Sequence, residues 1–281
     1  MVNQRSKLPL MAHLVLGYPT LAESLRTAAQ YIVAGVEILE LQIPFSHPTA
    51  DGPVITAACQ EATRLGVSVS DCIEAIRGLH AQFPEQEIMV MSYLNRIYTF
   101  GFQEFVTEMK TIGVRHLIIP DLPVDSRAAE DLRDLTISKK SGLSNLNLVP
   151  VLAANTPDPR VEKLLAMGFD FFYLMSDFKI TGSGFSLHPR LKAIIQKIRA
   201  HPSTNLPAVA LTKEGHHSTN HPRIGIGFGI STPEQALKVV EDADVAIIGS
   251  ALIQAQNAGK LTEYLESLRQ AFNNQQFETK H

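Results

Sequence analysis

Eight short apolar runs, each followed by a turn and then by a stretch with helical periodicity, restrict this chain more than any other feature of its sequence. The first run is Met11 to Leu16, closed by Gly17-Tyr18-Pro19. Thr20 and Glu23 then have capping-box spacing, Leu21, Leu25, Ala28 and Ile32 share one side of a helix, and Gly35 ends it. The same order returns at Val36–Ile43, with helices predicted over 54–65 and 71–82. It returns at 88–93, with a loop around Asn95 and a helix over 102–112, and at 116–119, with a helix over 126–135. Further units begin at 148–152, with a helix over 159–167, at 169–175, with a helix over 189–200, and at 245–248, with the last helices. Two segments compete for the seventh strand, Ala208–Leu211 and Ile224–Phe228. The second is preferred because it runs directly into Gly229-Ile230-Ser231, where Ser231 and Glu234 have the spacing of a capping box. Eight strand-helix units over about 250 residues predict a TIM (β/α)8 barrel. A single domain spans 1–281 in this reading, with a polar insertion at about 205–222 before strand seven. A doubly wound open sheet is the alternative, but the first turn has no G-x-G-x-x-G, so its dinucleotide-binding form lacks support.

Composition excludes several classes of function. With 45% apolar residues, 19% charged residues and a net charge of −3, the chain lacks the basic surplus of a nucleic-acid binder. Small molecules or proteins are the expected partners. Cys59 and Cys72 are too few for a disulfide framework or a Cys-type zinc site, which predicts reduced thiols in a cytosolic compartment. The apolar run from Leu8 to Leu16 is broken by Pro9 and His13 and has no small-residue cleavage site, so no signal peptide is expected. No apolar stretch approaches the roughly 20 residues of a membrane helix. His216, His217 and His221 lie among glycine, proline and small polar residues, without a carboxylate or Cys, and read as a solvated loop, not a metal site.

The stretch Val36 to Pro53, V-E-I-L-E-L-Q-I-P-F-S-H-P-T-A-D-G-P, carries the chemistry. Strand alternation puts Val36, Ile38, Glu40 and Gln42 on one face. In a barrel that face delivers Glu40 toward the C-terminal strand ends, where burial favours the neutral acid and suits it to proton transfer. A carboxylate paired with a buried Lys or Arg is the competing structural role. Asp51 follows in a D-G-P turn, which has a use for an Asp without any chemistry. Glycine-rich turns follow three late strands in succession: Thr181-Gly182-Ser183-Gly184, Gly227-Phe228-Gly229-Ile230-Ser231 and Gly249-Ser250. Close backbone approach and a helix N-terminus together suit a phosphate dianion. Tyr93, Asn95 and Tyr173 fall at strand ends, either as site residues or as groups that satisfy a loop.

These residues resemble the tryptophan synthase alpha chain family. The likeness runs from Met11 to about Ile253, and E-L-x-x-P-F-S-x-P-x-A-D-G-P at 40–53 is its most specific motif. Tyr93-Leu94-Asn95, Asp121-Leu122-Pro123, Tyr173-Leu174-Met175-Ser176, Thr181-Gly182, Gly227-Phe228-Gly229-Ile230-Ser231 and Gly249-Ser250-Ala251 support it. The resemblance implies a barrel that cleaves indole-3-glycerol phosphate into indole and glyceraldehyde 3-phosphate, with no metal or organic cofactor of its own. It implies Glu40 as the acid/base and Asp51 as the anion that holds the indole N–H. Tyr173 lies beside the glutamate in this resemblance, Gly182, Gly229 and Ser250 match phosphate-binding positions, and Thr181 matches a loop residue that reaches the aspartate. The implied partner is a beta chain carrying pyridoxal phosphate, in an α2β2 assembly in the cytoplasm.

Several positions depart from the family pattern. Gln42 replaces a usual glycine beside Glu40, His47 a usual aspartate in the loop facing the beta chain, and Lys179 a usual glycine in the strand-six loop. Ala153-Ala154-Asn155 lacks a usual proline, and the 205–222 stretch is additional. Two further readings follow from these changes: a catalytically weak paralogue that binds ligand or activates a partner, and a stand-alone lyase releasing free indole.

Overall fold

A computed structural model describes residues 7–137, 146–176, 179–181, 184–201 and 221–278. Eight parallel strands form the barrel: β1 (Leu8–Val15), β2 (Val36–Gln42), β3 (Glu87–Met91), β4 (His116–Ile118), β5, β6 (Phe171–Met175), β7 (Arg223–Gly227) and β8 (Val245–Ile248). Strand β5 has two parts, Asn147–Val149 and Val151–Ala153, separated by Pro150. Proline has no N–H for a ladder, so the strand changes neighbours there. Its first part pairs with β4 and its second with β6, and this closes the sheet. The other neighbours run in order, with β8 beside both β7 and β1.

The barrel follows from two apolar faces on each strand, as fully buried parallel strands require. Leu39 and Leu41 of β2 pack outward with Leu10, Ala12 and Leu14 of β1 against the helical layer. Met11, Ile38, Met89, Ile118, Val149, Phe171, Val245 and Ile247 fill the interior. Below them, toward the strand N-termini, Arg223 binds Glu37 at 2.5 Å and Glu87 at 2.8 Å, while His116 lies 3.2 Å from Asp170. One end of the barrel interior therefore holds a charged network.

Most predicted elements are present with ends shifted by a few residues. The helix over 189–200 and the strand Val245–Ile248 have the predicted bounds, and Arg223–Gly227 fills the seventh-strand position. Three local readings need correction. The capping box before the helix Pro233–Val240 uses Thr232 and Gln235, one residue later than Ser231 and Glu234, because Pro233 takes the first helical position. The helix Val69–Gln82 starts earlier than predicted, on a reciprocal Ser68 and Asp71 box. The expected loop around Asn95 is a helix, Leu94–Phe100, whose first amide is bound by Asp121 at 2.9 Å. That cap comes from after β4, so local propensity did not reveal it. A two-stranded hairpin, Lys179–Thr181 with Gly184–Ser186, follows β6. Ala208–Leu211 and nearly all of the 205–222 insertion lie outside the described residues.

Candidate active site

The pocket begins with the register between β1 and β2. A bulge between Leu8 and Met11 shifts the pairing by one residue, so His13 stands opposite Glu40 and Val15 opposite Gln42. Parallel pairing sends His13, Glu40 and Gln42 to the same face, into the barrel. Both His13 and Glu40 are buried, and His13 Nδ1 lies 3.4 Å from Glu40 Oε2. Among the described residues, His13 Nε2, Glu40 Oε2 and Gln42 Oε1 are buried without a hydrogen-bond partner. Three such atoms in one place are costly unless a ligand completes them.

Asp51 reaches this group from the turn before the helix Pro53–Arg64. Gln42 Nε2 donates to Asp51 Oδ2 at 2.7 Å, and Tyr93 Oη donates to the same oxygen at 2.9 Å. The Tyr93 hydroxyl also accepts the Ala50 N–H at 2.9 Å, and its ring packs on Phe45 at 5.2 Å. The whole turn is thus tied to the end of β3. With both donors on Oδ2, the carboxylate has a fixed orientation and its other oxygen is available to an N–H donor.

Electrostatics follow from burial. Desolvation raises the Asp51 carboxyl above its usual range, although His13, Gln42 and Tyr93 all act in the opposite direction. Burial by itself lowers a histidine, yet Glu40, with Asp51 as a further contributor, lifts His13 above its ordinary value. Burial raises the Tyr173 phenol well above the usual tyrosine value, with Glu40 and Asp51 adding to it. Tyr173 therefore stays a neutral donor. Its ring meets Phe228 edge-on at 6.3 Å, and a Cβ on Gly227 would fall 2.8 Å from its hydroxyl. Only glycine at 227 leaves room for that side chain. Phe228 itself takes a left-handed φ of 73°, and Ser176 Oγ holds the turn by donating to Gly227 O at 2.6 Å.

The glycine turns lie on the same rim. Gly229, with φ 83°, follows β7, and Gly249 caps the helix Ser250–Asn257 after β8. A Cβ on Gly249 would fall 3.3 Å from His13 Cβ, so that turn backs directly onto the histidine. Thr181 lies in the hairpin opposite Gly184, and Gly182 is outside the described residues. Among the described residues no three His, Cys, Asp or Glu side chains are grouped as a metal would need, and His216 and His217 lie outside them. Cys59 and Cys72 are buried free thiols, each pushed up to about 12 by burial, which keeps them unreactive.

A family model described as tryptophan synthase alpha chain matches residues 1–280. The chain belongs to that family. The tryptophan synthase alpha chain of Chloroflexus aurantiacus is 33% identical over 247 residues, covering 88% of this chain and 84% of its own. That of a Synechocystis species is 32% identical, covering 95% and 92%. A crystal structure of the tryptophan synthase alpha subunit from Legionella pneumophila superposes with a TM-score of 0.74 at 27% identity, covering 95% and 94%. A tryptophan synthase structure from M. tuberculosis, 22% identical with a TM-score of 0.76, shares the fold.

In this tryptophan synthase alpha chain, Glu40 and Asp51 both lie near enough to Tyr173 to act on its hydroxyl, and Gly229 and Ser250 follow β7 and β8 at the same end of the barrel. Of the site's polar partners, the sequence does not point to His13 and leaves Tyr93 open between a site role and a loop role. His13 registered only as a break in an apolar run, although Met11, His13 and Val15 share one strand face. Tyr93 could be placed at a strand end, but its bond to Asp51 spans 42 residues of sequence. Gln42, at the position of a usual glycine, grips Asp51. His47 is exposed on the loop, its Nδ1 2.8 Å from Ser46 Oγ and its ring edge-on to Phe45 at 6.2 Å.

Proposed function

We propose that this chain cleaves indole-3-glycerol phosphate by a retro-aldol reaction into indole and glyceraldehyde 3-phosphate. The observation that carries this reading is the pairing of two differently held carboxyls. Asp51 is clamped through one oxygen, while Glu40 Oε2 is buried with no hydrogen bond among the described residues and faces His13 Nδ1 at 3.4 Å. The reaction needs that difference. Protonation of indole C3 puts positive charge on the ring nitrogen, which a fixed anion stabilises through the N–H. A second carboxyl must give one proton to C3 and take another from the side-chain hydroxyl, which requires a group not already committed to hydrogen bonds. Asp51 fits the first task and Glu40 the second. Tyr173 supplies a neutral hydroxyl beside them and Thr181 serves Asp51, while Gly182, Gly229 and Ser250 bind the phosphate end, the helix N-terminus at Ser250 favouring the dianion.

The partner in this reading is a tryptophan synthase beta chain, in an α2β2 assembly, that holds pyridoxal phosphate and consumes the indole. The alpha chain itself uses neither metal nor organic cofactor, and the assembly acts in the cytoplasm. No helix among the described residues is long and apolar enough to cross a membrane. Indole release from indole-3-glycerol phosphate, measured for the wild type and for Glu40→Gln, tests the assignment. The variant is expected to lose about 10²- to 10⁴-fold in turnover, the usual contribution of a general acid–base group. Equal turnover by the two proteins overturns the role of Glu40.

A further inference from the structure

We infer that His13 is a positioning residue that shares a proton with Glu40, so the acid–base unit of the pocket is the buried His13–Glu40 pair and not the carboxyl alone. The inference rests on the lyase reading above and extends it to a residue outside the E-L-x-x-P-F-S motif.

Three features of the structure support it. The bulge in β1 sets His13 directly across from Glu40, and Gly249 leaves the close space that its ring stem occupies. The facing atoms are Nδ1 and Oε2 at 3.4 Å, with both side chains buried at 5% and 2% exposure, so neither has water as a substitute partner. Among the described residues the far ring nitrogen, Nε2, is unpartnered, and none of them fixes the ring's charge state through it. The groups that act on the ring are Glu40 and Asp51, both carboxyls, and the Gln42 side chain. Across the pocket Tyr173 and Tyr93 are neutral phenols, and Ile55 packs near Gly249 without charge. Among the described residues, both titratable neighbours that act on His13 therefore favour its protonated form.

A shared proton solves a problem of balance. The pair enters the reaction with one mobile proton, as imidazolium and carboxylate or as imidazole and carboxylic acid. In the second form Glu40 delivers the proton to indole C3, the new C–H bond forms, and Glu40 becomes anionic. The bond between C3 and the side-chain carbon then breaks, its electrons restoring the aromatic ring and neutralising the ring nitrogen. The hydroxyl proton on that carbon passes to Glu40 as the aldehyde forms. The pair ends with the one proton it began with, and no outside acid or base is consumed. His13 holds the proton between turnovers at a pH where an isolated carboxyl would already have lost it.

Two measurements decide the matter. The first is ring titration of His13 by nitrogen-15 NMR in histidine-labelled wild type and Glu40→Gln. The His13 titration is expected to move down by about one pH unit or more without the carboxylate; an unchanged titration overturns the pair. The second is the pH profile of kcat/KM for indole release by wild type and His13→Asn, an amide able to keep the contact without titrating. The alkaline limb is expected to fall at a pH lower by about one unit or more in the variant, with activity closest to wild type at acid pH. A limb at the same pH overturns the shared proton, since a purely packing role scales the whole profile uniformly. A wild type that releases no indole defeats the lyase reading, and the NMR arm still decides the pair. If His13→Asn does not fold, the comparison of wild type with Glu40→Gln stands alone.

Discussion

Replacing Tyr93 by Phe isolates the clamp on Asp51. The substitution removes one oxygen and two hydrogen bonds, a donor to Asp51 Oδ2 and an acceptor for the Ala50 N–H, each 2.9 Å long. A hydrogen bond to a charged group contributes about 1.5–3 kcal/mol. Gln42 still holds the same oxygen at 2.7 Å, so the carboxylate keeps one anchor and loses the one that ties its turn to β3. If that orientation matters only once charge develops on the ring, the loss falls on kcat, by about 10- to 100-fold. The orphaned Ala50 amide lowers stability by about 1–2 kcal/mol, because the position is only half-buried and water can reach it in part. The pH profile gives an independent sign. The Tyr93 bond favours ionised Asp51 and so lowers its pKa; removing it raises a group that burial has already raised. A reaction that needs anionic Asp51 then fails at a higher pH on its acid side. Steady-state indole release across pH, with urea unfolding for stability, measures all three effects. A kcat within twofold of wild type and an unmoved acid limb refute the clamp.

Other perturbations test separate parts of the design. Arg223→Met strips the shared cation from Glu37 and Glu87 toward the strand N-termini, and urea unfolding at neutral pH is expected to show a loss of about 2–3 kcal/mol. That is less than for a fully dry pair, since 26% of the arginine side chain remains exposed. The kcat of the folded protein is expected to hold, because the pocket lies at the other end. The Glu87 and Asp170 carboxyls are held below their usual range, despite burial, by Arg223 and His116 respectively. Their contribution to stability is present above the unfolded carboxylate pKa of about 4 and disappears as pH falls through the lower folded values. Acid unfolding should therefore begin at higher pH in Arg223→Met than in wild type. Gly227→Ala sets a methyl 2.8 Å from the Tyr173 hydroxyl, and the ring must move; indole release is expected to drop about tenfold or more, alongside about 1–3 kcal/mol of stability from overpacking. Activity equal to wild type there shows that the position of Tyr173 is immaterial.

The strand and helix order was legible in the sequence because each barrel strand has apolar residues on both faces and each helix has one apolar stripe. Glycine and proline marked most of the breaks. The inward direction of Glu40 was legible for the same reason: with Ile38 facing the interior, period two leaves Glu40 and Gln42 no other choice. The helix Leu94–Phe100 was hidden because its cap, Asp121, arrives from the next strand-end loop. The capping box at Thr232 was misplaced by one residue because Ser231 and Glu234 offer the same spacing as Thr232 and Gln235, and only Pro233 distinguishes them.

The sequence by itself determined the barrel, the two carboxyls at and beyond the end of β2, and the three glycine turns, since these depend on residue type and on spacing within one strand or turn. Tertiary structure decided which groups those carboxyls meet. The β1 bulge selects Glu40 over Leu41 as the partner of His13, a one-residue choice that inverts the face presented. Direct pairing of β6 with β7 sets Tyr173 against Gly227, although the two strands lie far apart in sequence. Charge and proton affinity depend on neighbours within a few ångströms, and those neighbours come from strands that only the closed barrel brings together.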